Sequence, residues 1–242
     1  MSFSSLNILI TGAGRGLGLE FVRQLLPRAQ QLFATARDPQ RSPELKGLAK
    51  AHPDRLKLLP LDVADEYSIK GAVRQVEKAA TSMDLLINNA GIYLGRPGAV
   101  AGSDRLGKLG MESGVATMRT NAIGPIILTQ ELLPLLQQGR QPKVVSLTSG
   151  LGSIASSGGA PYHYSASKAA LNMYMHGLAR ELQPQRIISV VINPGWVATD
   201  MGERGAPVTA EESARGILSV VDNLEPEDTG KFLNYRGEEE PW

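Results

Sequence analysis

The chain has 242 residues, of which 42% are hydrophobic and 20% charged, and this is enough to build one α/β domain with a buried core. A formal net charge of +1 gives no reason to expect nucleic acid or an acidic membrane as a partner, and the absence of cysteine excludes disulfides, thiolate catalysis and cysteine metal sites. Three histidines without ligand spacing, no secretory signal pattern and no apolar run long enough for a bilayer predict a cytoplasmic protein without a metal site.

Short apolar runs alternate with longer helical patterns along the chain. The predicted strands are residues 6–11, 31–36, 56–61, 84–88, 143–148, 187–192 and 231–234. The predicted helices are residues 17–28, 65–80, 109–138, 162–182 and 209–223, the third of them bent or crowded near Gly124-Pro125. Strands this uniformly apolar predict a parallel sheet of about seven strands with helices on both faces. We therefore expect a doubly wound, Rossmann-type α/β fold and a single domain over residues 1–242.

The first predicted turn, Thr11-Gly12-Ala13-Gly14-Arg15-Gly16-Leu17-Gly18, lies between the first strand and the first helix. Glycines there let backbone N–H groups and the helix N-terminus approach a pyrophosphate. The T-G-x-x-x-G-x-G spacing differs from the G-x-G-x-x-G fingerprint, and methyltransferases and flavoproteins use similar turns. The turn thus predicts a nucleotide-type cofactor without fixing its class. The residues expected to contact it are Gly12, Gly14, Arg15, Gly16, Leu17 and Gly18.

The second predicted strand ends at Ala36-Arg37-Asp38, where NAD-binding folds place a carboxylate for the ribose 2′-hydroxyl. Arg37 could instead bind a 2′-phosphate, and Arg15 could reach the same phosphate from the glycine turn. The two arginines favour NADP(H). NAD(H) stays possible, because the Asp38 carboxylate could turn towards a ribose; alternatively, Asp38 only neutralises the charge of Arg37. Alternatively, both arginines are solvated surface residues.

Two further strand ends carry polar side chains. Asp62, in Leu61-Asp62-Val63, could accept a hydrogen bond from an adenine amino group or cap the next helix, although Asp65 is better placed to cap it. In Asn88-Asn89-Ala90-Gly91, asparagine side chains could brace strands and Ala-Gly would permit close approach of a ribose, but the sequence also suits an ordinary turn. The candidate cofactor contacts here are Asp62, Val63, Asn89, Ala90 and Gly91.

Tyr164 and Lys168 are spaced to lie on one face of a helix, one turn apart. An ammonium beside a phenol is expected to lower the pKa of the tyrosine, which could then exchange a proton with a carbonyl or alcohol oxygen. The same spacing also occurs on ordinary solvated helix faces.

Together these motifs resemble those of the short-chain dehydrogenase/reductase family. The matching pieces, in chain order, are Thr11-Gly12-x-x-x-Gly16-x-Gly18, Asp62, Asn88-Asn89-Ala90-Gly91, Asn121, Ser149, Tyr164-x-x-x-Lys168 and Pro194-Gly195. Residues 194–202 and 230–242 further resemble the branch that contains sniffer-like carbonyl reductases and bacterial C-factor proteins.

The resemblance implies an oxidoreductase that transfers a hydride between NADP(H) and a carbonyl or alcohol. Tyr164 would be the general acid/base, and Lys168 would bind the nicotinamide ribose and lower the pKa of Tyr164. Ser149 would bond the substrate oxygen, with neighbouring Thr148 as the less favoured hydroxyl. Asn121 would hold a water that completes a proton relay, or be only a polar residue within a helix.

The remaining implied contacts follow the sixth strand. Pro194 and Gly195 would line the nicotinamide, with Val197 beside them, and Thr199 would bond its carboxamide. Residues 200–209 would form a short, open or mobile substrate lid. Glycine-rich residues 91–114 and 150–161 are predicted to be long loops, which are usually functional or mobile. Tyr162 is expected to line the pocket. Residues that could form an apolar substrate wall, or pack ordinarily, are Ile92, Tyr93, Leu94, Trp196 and Met201.

The family commonly assembles through helices corresponding to residues 109–138 and 162–182, so the resemblance implies a homodimer or homotetramer. A cofactor-binding signalling or sensor protein with little turnover is the alternative function. A sensor of this kind would not need all four of the residues that the resemblance implies are catalytic, Asn121, Ser149, Tyr164 and Lys168. A methyltransferase would leave Tyr164-x-x-x-Lys168 and Pro194-Gly195 unexplained.

Overall fold

The computed structural model describes residues 5–95, 104–202 and 205–242. The strands there are β1 (Leu6–Ile10), β2 (Ala29–Ala36), β3 (Leu56–Pro60), β4 (Leu85–Asn88), β5 (Lys143–Leu147), β6 (Ile188–Asn193) and β7 (Phe232–Asn234). They form one parallel sheet in the order β3-β2-β1-β4-β5-β6-β7. The predicted seven-stranded, doubly wound parallel sheet and single domain are confirmed.

The helices of the described residues lie on both faces of this sheet. They are α1 (Gly16–Leu25), α2 (Pro43–Ala51), α3 (Glu66–Ala79), α4 (Met111–Met118), α5 (Gly124–Leu136), α6 (Tyr162–Leu182) and α7 (Ala210–Asp222). Two apolar clusters form the core. One joins α1 and α7 to strand residues such as Ile8 and Ile10, and the other joins α3, α5 and α6 to residues such as Leu9. Alternate side chains of β1 thus serve opposite faces, as a buried parallel strand requires.

Helix α2 is absent from the elements predicted above, although its start carries a recognisable signal. Ser42 Oγ accepts a hydrogen bond from Leu45 N–H, and Pro43 occupies the first helical position, where its missing N–H costs nothing. Asp65 caps α3 through Tyr67 N–H, as predicted.

The long helix predicted over residues 109–138 is interrupted rather than continuous. A π-helical turn, Arg119–Ile123, separates α4 from α5. Gly124 follows this turn and packs against the Val63 carbonyl so closely that a Cβ would collide with it. The crowding expected near Gly124-Pro125 is present. Because α4 starts at Met111, the predicted loop over residues 91–114 is wrong at its end, and residues 96–103 of that loop lie outside the described residues.

The strand order reverses direction at β1 and β4, which are adjacent in the sheet although far apart in sequence. The connection from β1 leads to β2 on one side, and the chain returns to β4 on the other. Such a point opens a crevice at the carboxyl ends of the strands, where open α/β sheets bind their ligands. The glycine turn and Asn89–Gly91 flank this crevice.

The packing at Gly124 gives a test of the fold. We expect Gly124→Ala to destabilise the protein by about 2 kcal/mol, because the added methyl group overpacks a rigid backbone contact. Gly177, on the exposed side of α6, would place a Cβ with no described heavy atom within 4 Å. Gly177→Ala is the matched control and should leave stability unchanged or raise it by up to about 1 kcal/mol through helix propensity. Urea unfolding measures both, and equal midpoints for the two variants would contradict the packing.

Candidate active site

Thr11 and Asn89 tie the glycine turn to the end of β4. The Thr11 hydroxyl accepts hydrogen bonds from the backbone N–H groups of Asn89 (3.0 Å) and Ala90 (2.9 Å). The Asn89 amide donates to the carbonyl oxygens of Thr11 (2.7 Å) and Gly12 (3.2 Å). These bonds fix the two loops that border the crevice at the switch point.

The shape of the turn depends on two of its glycines. Gly12 has a φ of +67°, a left-handed conformation that glycine adopts without strain, and it lies against Ala90. A Cβ on Gly18 would collide with the Gly12 carbonyl oxygen, so only glycine lets α1 start this close to the turn. Gly14, Gly16 and Leu17 complete the turn and the first residues of α1.

The N-terminus of α1 is suited to a phosphate group. Its N-cap residue, Arg15, makes no side-chain capping bond, and its first turn has no acidic residue. Helix N–H groups without a local cap, together with the positive end of the helix dipole, favour an anionic ligand. The turn therefore fits a dinucleotide pyrophosphate.

The residues expected to choose between cofactors lie on the surface. Arg37 is exposed just beyond β2. Arg15 pairs with Asp200 at 2.5 Å across the mouth of the crevice. Asp38 accepts a hydrogen bond from Gln40 N–H and pairs with Arg41 rather than neutralising Arg37. The carboxylate that would indicate NAD(H) is thus already engaged with its own loop.

Asp62 and Val63 follow β3 at the same edge of the sheet. Asp62 accepts a hydrogen bond from Ala64 N–H, and its own N–H donates to Ser68 Oγ, both at 2.9 Å. The capping alternative for Asp62 is wrong, because Asp65 caps α3. Asn88 braces the strands as expected, donating from its side chain to Ser146 Oγ on β5.

Tyr164 and Lys168 both lie on α6; Lys168 is buried and Tyr164 is half-buried. Burial raises the pKa of Tyr164 to about 12, and a hydrogen bond with Ser149 opposes that rise. Burial also lowers the pKa of Lys168 to about 8. The Lys168 ammonium donates to the Leu147 carbonyl at 2.7 Å and lies 5.9 Å from the centroid of the Tyr164 ring.

The expected lowering of the pKa of Tyr164 beside Lys168 is therefore wrong, because the pKa is raised. Desolvation of the phenolate outweighs every favourable contact, so Tyr164 is a neutral phenol near pH 7. The hydroxyl beside it is that of Ser149, the favoured of the two candidates. The Thr148 hydroxyl is buried and donates instead to Asn172 Oδ1 at 2.6 Å.

Asn121 lies fully buried in the π-helical turn, and its side-chain amide is hydrogen-bonded to protein groups. Its amide oxygen accepts from Ile92 N–H (2.8 Å), and its amide nitrogen donates to the Ile92 carbonyl (2.9 Å) and to Ser167 Oγ (3.0 Å). The side chain therefore holds the loop after β4 against α6. Its role in a water relay stays a prediction.

Two residues that the sequence analysis leaves out support this site. Asn172 continues the helix face of Tyr164 and Lys168 by one more turn, and it donates to the Gly152 carbonyl at 3.2 Å. Ser167 receives the bond from Asn121 and donates to the Tyr164 carbonyl at 2.7 Å. Asn172 could have been found from the sequence, because Tyr164, Lys168 and Asn172 have the i, i+4, i+8 spacing of one helix face.

The segment after β6 curves over the glycine turn. Gly195 has a φ of +82°, and its N–H donates to Asn193 Oδ1 at 3.0 Å, which closes the turn after Pro194. Val197 pairs with Val208 in a short bridge, and the Thr199 side chain lies beside Gly16. Within the predicted lid, residues 203 and 204 lie outside the described residues.

Aromatic side chains border the pocket next to Tyr164. The Tyr93 ring lies 4.9 Å from the Tyr164 ring, centroid to centroid. Leu94 lines the same pocket, while Ile92 is engaged with Asn121. Trp196 is 59% exposed and donates from its indole N–H to the Gly202 carbonyl. Tyr93 and Leu94 thus lie beside Tyr164.

Among the described residues, no helix has the length and apolar character needed to cross a membrane. The same residues contain no cluster of three or more histidine, aspartate or glutamate side chains that could hold a metal ion.

Known proteins are similar to this chain in sequence and in fold. Residues 6–207 match the family model described as short chain dehydrogenase. The C-signal protein of Myxococcus xanthus is 41% identical over 161 residues, which cover 66% of this chain and 93% of that protein. The NADPH-bound carbonyl reductase from chicken fatty liver is 36% identical, with a TM-score of 0.91 and coverage of 99% of this chain and 100% of that one. Carbonyl reductase Sniffer of D. melanogaster is 34% identical, with a TM-score of 0.90 and coverage of 98% and 100%.

Burial of Lys168 gives a pH-dependent test. Its pKa is about 8 in the folded protein and near 10.5 when unfolded, so between these values the unfolded chain binds more protons. Stability of the cofactor-free protein should therefore rise with pH from about 8 to about 10 by a contribution that Lys168→Met lacks. Urea unfolding across this range measures it, with exposed Lys46→Met as the control. A wild-type pH slope in Lys168→Met would contradict the burial cost.

Proposed function

Because the chain belongs to the short-chain dehydrogenase family, we propose that it is an NADP(H)-dependent carbonyl reductase with Tyr164 as general acid. The observation that carries this proposal is the position of a half-buried, neutral Tyr164 hydroxyl beside Ser149, with Lys168 one helical turn away. Carbonyl reductases with 34% and 36% identity and matching folds support the reaction class.

Tyr164 and Ser149 would act directly on the substrate oxygen. When NADPH is bound, it supplies the hydride that reduces the carbonyl carbon and is itself oxidised to NADP⁺. Ser149 and Tyr164 would hydrogen-bond the carbonyl oxygen, and the Tyr164 proton would move to that oxygen as negative charge develops on it. The product is the alcohol. With a pKa of about 12, Tyr164 is protonated at neutral pH and therefore carries the proton that carbonyl reduction requires.

Lys168 and Asn121 would support this proton transfer. Both side chains lie next to Gly91: a Cβ on Gly91 would lie 3.4 Å from Asn121 Oδ1 and 3.7 Å from Lys168 Nζ. Lys168 would bind the nicotinamide ribose and stabilise the phenolate left on Tyr164. Reprotonation from solvent would pass by Lys168 and a water held near Asn121.

The glycine turn and the loops around it would hold the cofactor. The α1 N-terminus would bind the pyrophosphate, Asp62 and Val63 would contact the adenine, and Asn89–Gly91 the ribose. Pro194, Gly195, Val197 and Thr199 would contact the nicotinamide end. Arg37 and Arg15 would bind the 2′-phosphate, in agreement with the NADPH of the chicken carbonyl reductase.

A signalling role with little turnover is the second candidate, and one comparison favours it. The protein named C-signal is 41% identical over most of its own length. A sensor would bind NADPH but would not reduce carbonyl compounds. Assaying NADPH oxidation with a panel of aldehydes, ketones and quinones separates the two functions.

Replacement of Tyr164 tests the mechanism. We expect Tyr164→Phe to lower turnover by about 10²-fold to 10⁴-fold, because the proton donor is lost, while NADPH binding measured by fluorescence titration persists. Tyr174→Phe changes an exposed tyrosine of the same helix and should retain full turnover. Turnover of Tyr164→Phe equal to that of Tyr174→Phe would rule out Tyr164 as the acid.

Replacement of Arg37 tests the cofactor. Arg37→Asp should lower kcat/KM for NADPH and raise it for NADH, because a carboxylate repels a 2′-phosphate and accepts a bond from a 2′-hydroxyl. One charge-assisted contact predicts a change of at least about 10-fold in the NADPH/NADH ratio. Arg55→Asp, at the opposite end of the β2–β3 strand pair, is the charge-matched control. An unchanged ratio in Arg37→Asp would refute the assignment.

A further inference from the structure

The helix that carries Tyr164 and Lys168 lacks a local N-terminal cap. Its N-cap residue is Pro161, which has no polar side chain, and its first turn contains no acidic residue. The first N–H groups of a helix have no partner within the helix, and an uncapped first turn frays. Tyr164 is the third residue of α6, so its position depends on how that first turn is held.

Asp104 supplies the missing cap from a distant part of the sequence. Its two carboxylate oxygens accept hydrogen bonds from the N–H groups of His163 (2.8 Å) and Tyr164 (2.9 Å). Its backbone carbonyl accepts a third, longer bond from Tyr162 N–H (3.3 Å). One residue thus satisfies three successive N–H groups, including that of Tyr164 itself.

Asp104 is held firmly enough to act as a fixed point. It is 6% exposed, so its charge is kept inside the protein and faces the positive end of the α6 dipole. Gly95 lies directly against it, and a Cβ on Gly95 would collide with the Asp104 side chain. The carboxylate therefore has little freedom to leave the helix end.

We propose that Asp104 is a positioning residue for the reaction, which fixes the Tyr164 hydroxyl beside Ser149 by capping the first turn of α6. This inference rests on the proposed function only for its effect on turnover. Asp104 touches neither hydroxyl. It acts through the Tyr164 backbone, whereas Ser167 and Lys168 hold the helix from the following turn.

The test compares Asp104→Ala and Asp104→Asn with Asp65→Ala. Asp65 is a matched control because it also caps a helix through a backbone N–H, but on α3. We expect Asp104→Ala to lower kcat by about 10²-fold, the cost of a misplacement of about 1 Å, with KM for NADPH unchanged. Asp104→Asn keeps the shape and one accepting oxygen, so it should recover part of the loss. Asp65→Ala should keep wild-type kcat.

Two outcomes in the kinetics would overturn the proposal. One is a kcat for Asp104→Ala no lower than that for Asp65→Ala, and the other is a raised KM for NADPH with kcat unchanged. If Asp104→Ala does not fold, Asp104→Asn decides: reduced kcat with intact NADPH binding supports the proposal, and wild-type kcat overturns it.

Amide hydrogen exchange over residues 162–168 measures how well the first turns of α6 are protected, and it does not depend on activity. Lost protection in Asp104→Ala, retained in Asp65→Ala, supports the capping, and unchanged protection overturns it. If the wild type reduces no carbonyl compound, the proposed function fails, and this exchange comparison alone decides the role of Asp104.

Discussion

The site depends on a buried ammonium, that of Lys168, which has no ion-pair partner among the residues that the structure describes. Lys168 is 5% exposed, and its hydrogen bond is to a neutral carbonyl, that of Leu147 at the end of β5. Burying a charge in this way costs stability, as its lowered pKa shows. Strongly shifted pKa values are more frequent at functional sites than elsewhere in proteins, so the environment of Lys168 favours a functional role over a purely structural one.

The surroundings of Lys168 are built to hold it close to the sheet edge. A Cβ on Gly152 would lie 2.9 Å from Lys168 Cβ, so the turn after Ser149 packs directly on the helix. Asn172 links that turn to Thr148, and Asn121 links the loop after β4 to Ser167. The two networks join the ends of β4 and β5 to one face of α6. The Tyr164 hydroxyl therefore lies on a helix that is packed against the sheet, and the turn that carries Ser149 is held against the same helix.

The sequence predicts those parts of the protein that depend on local pattern. Residues 162–182 form the helix as predicted, and Asp65 caps α3, because both signals lie within a few neighbouring residues. Helix α2 has a local signal at Ser42-Pro43 that the apolar periodicity did not bring out. Gly124, which follows the π-helical turn, packs against the distant Val63 carbonyl, and the cap of α6 comes from Asp104. Contacts of that kind join residues about 60 positions apart, and no local pattern specifies them.

The raised pKa of Tyr164 is a second feature that the local sequence pattern did not predict, since it depends on burial in the folded protein. It also bears on the role proposed for Lys168. In a titration Lys168 loses its proton near pH 8, well before Tyr164 ionises near pH 12, so the phenolate forms beside a neutral amine. During turnover near pH 7, Tyr164 would give up its proton while Lys168 is still charged. The Lys168 ammonium lies 5.9 Å from the centroid of the Tyr164 ring, close enough to attract the negative charge of a phenolate. That attraction is absent while Tyr164 is neutral and appears as its proton leaves. Lys168 would therefore stabilise the transition state more than the ground state, which is the condition for an interaction to raise kcat.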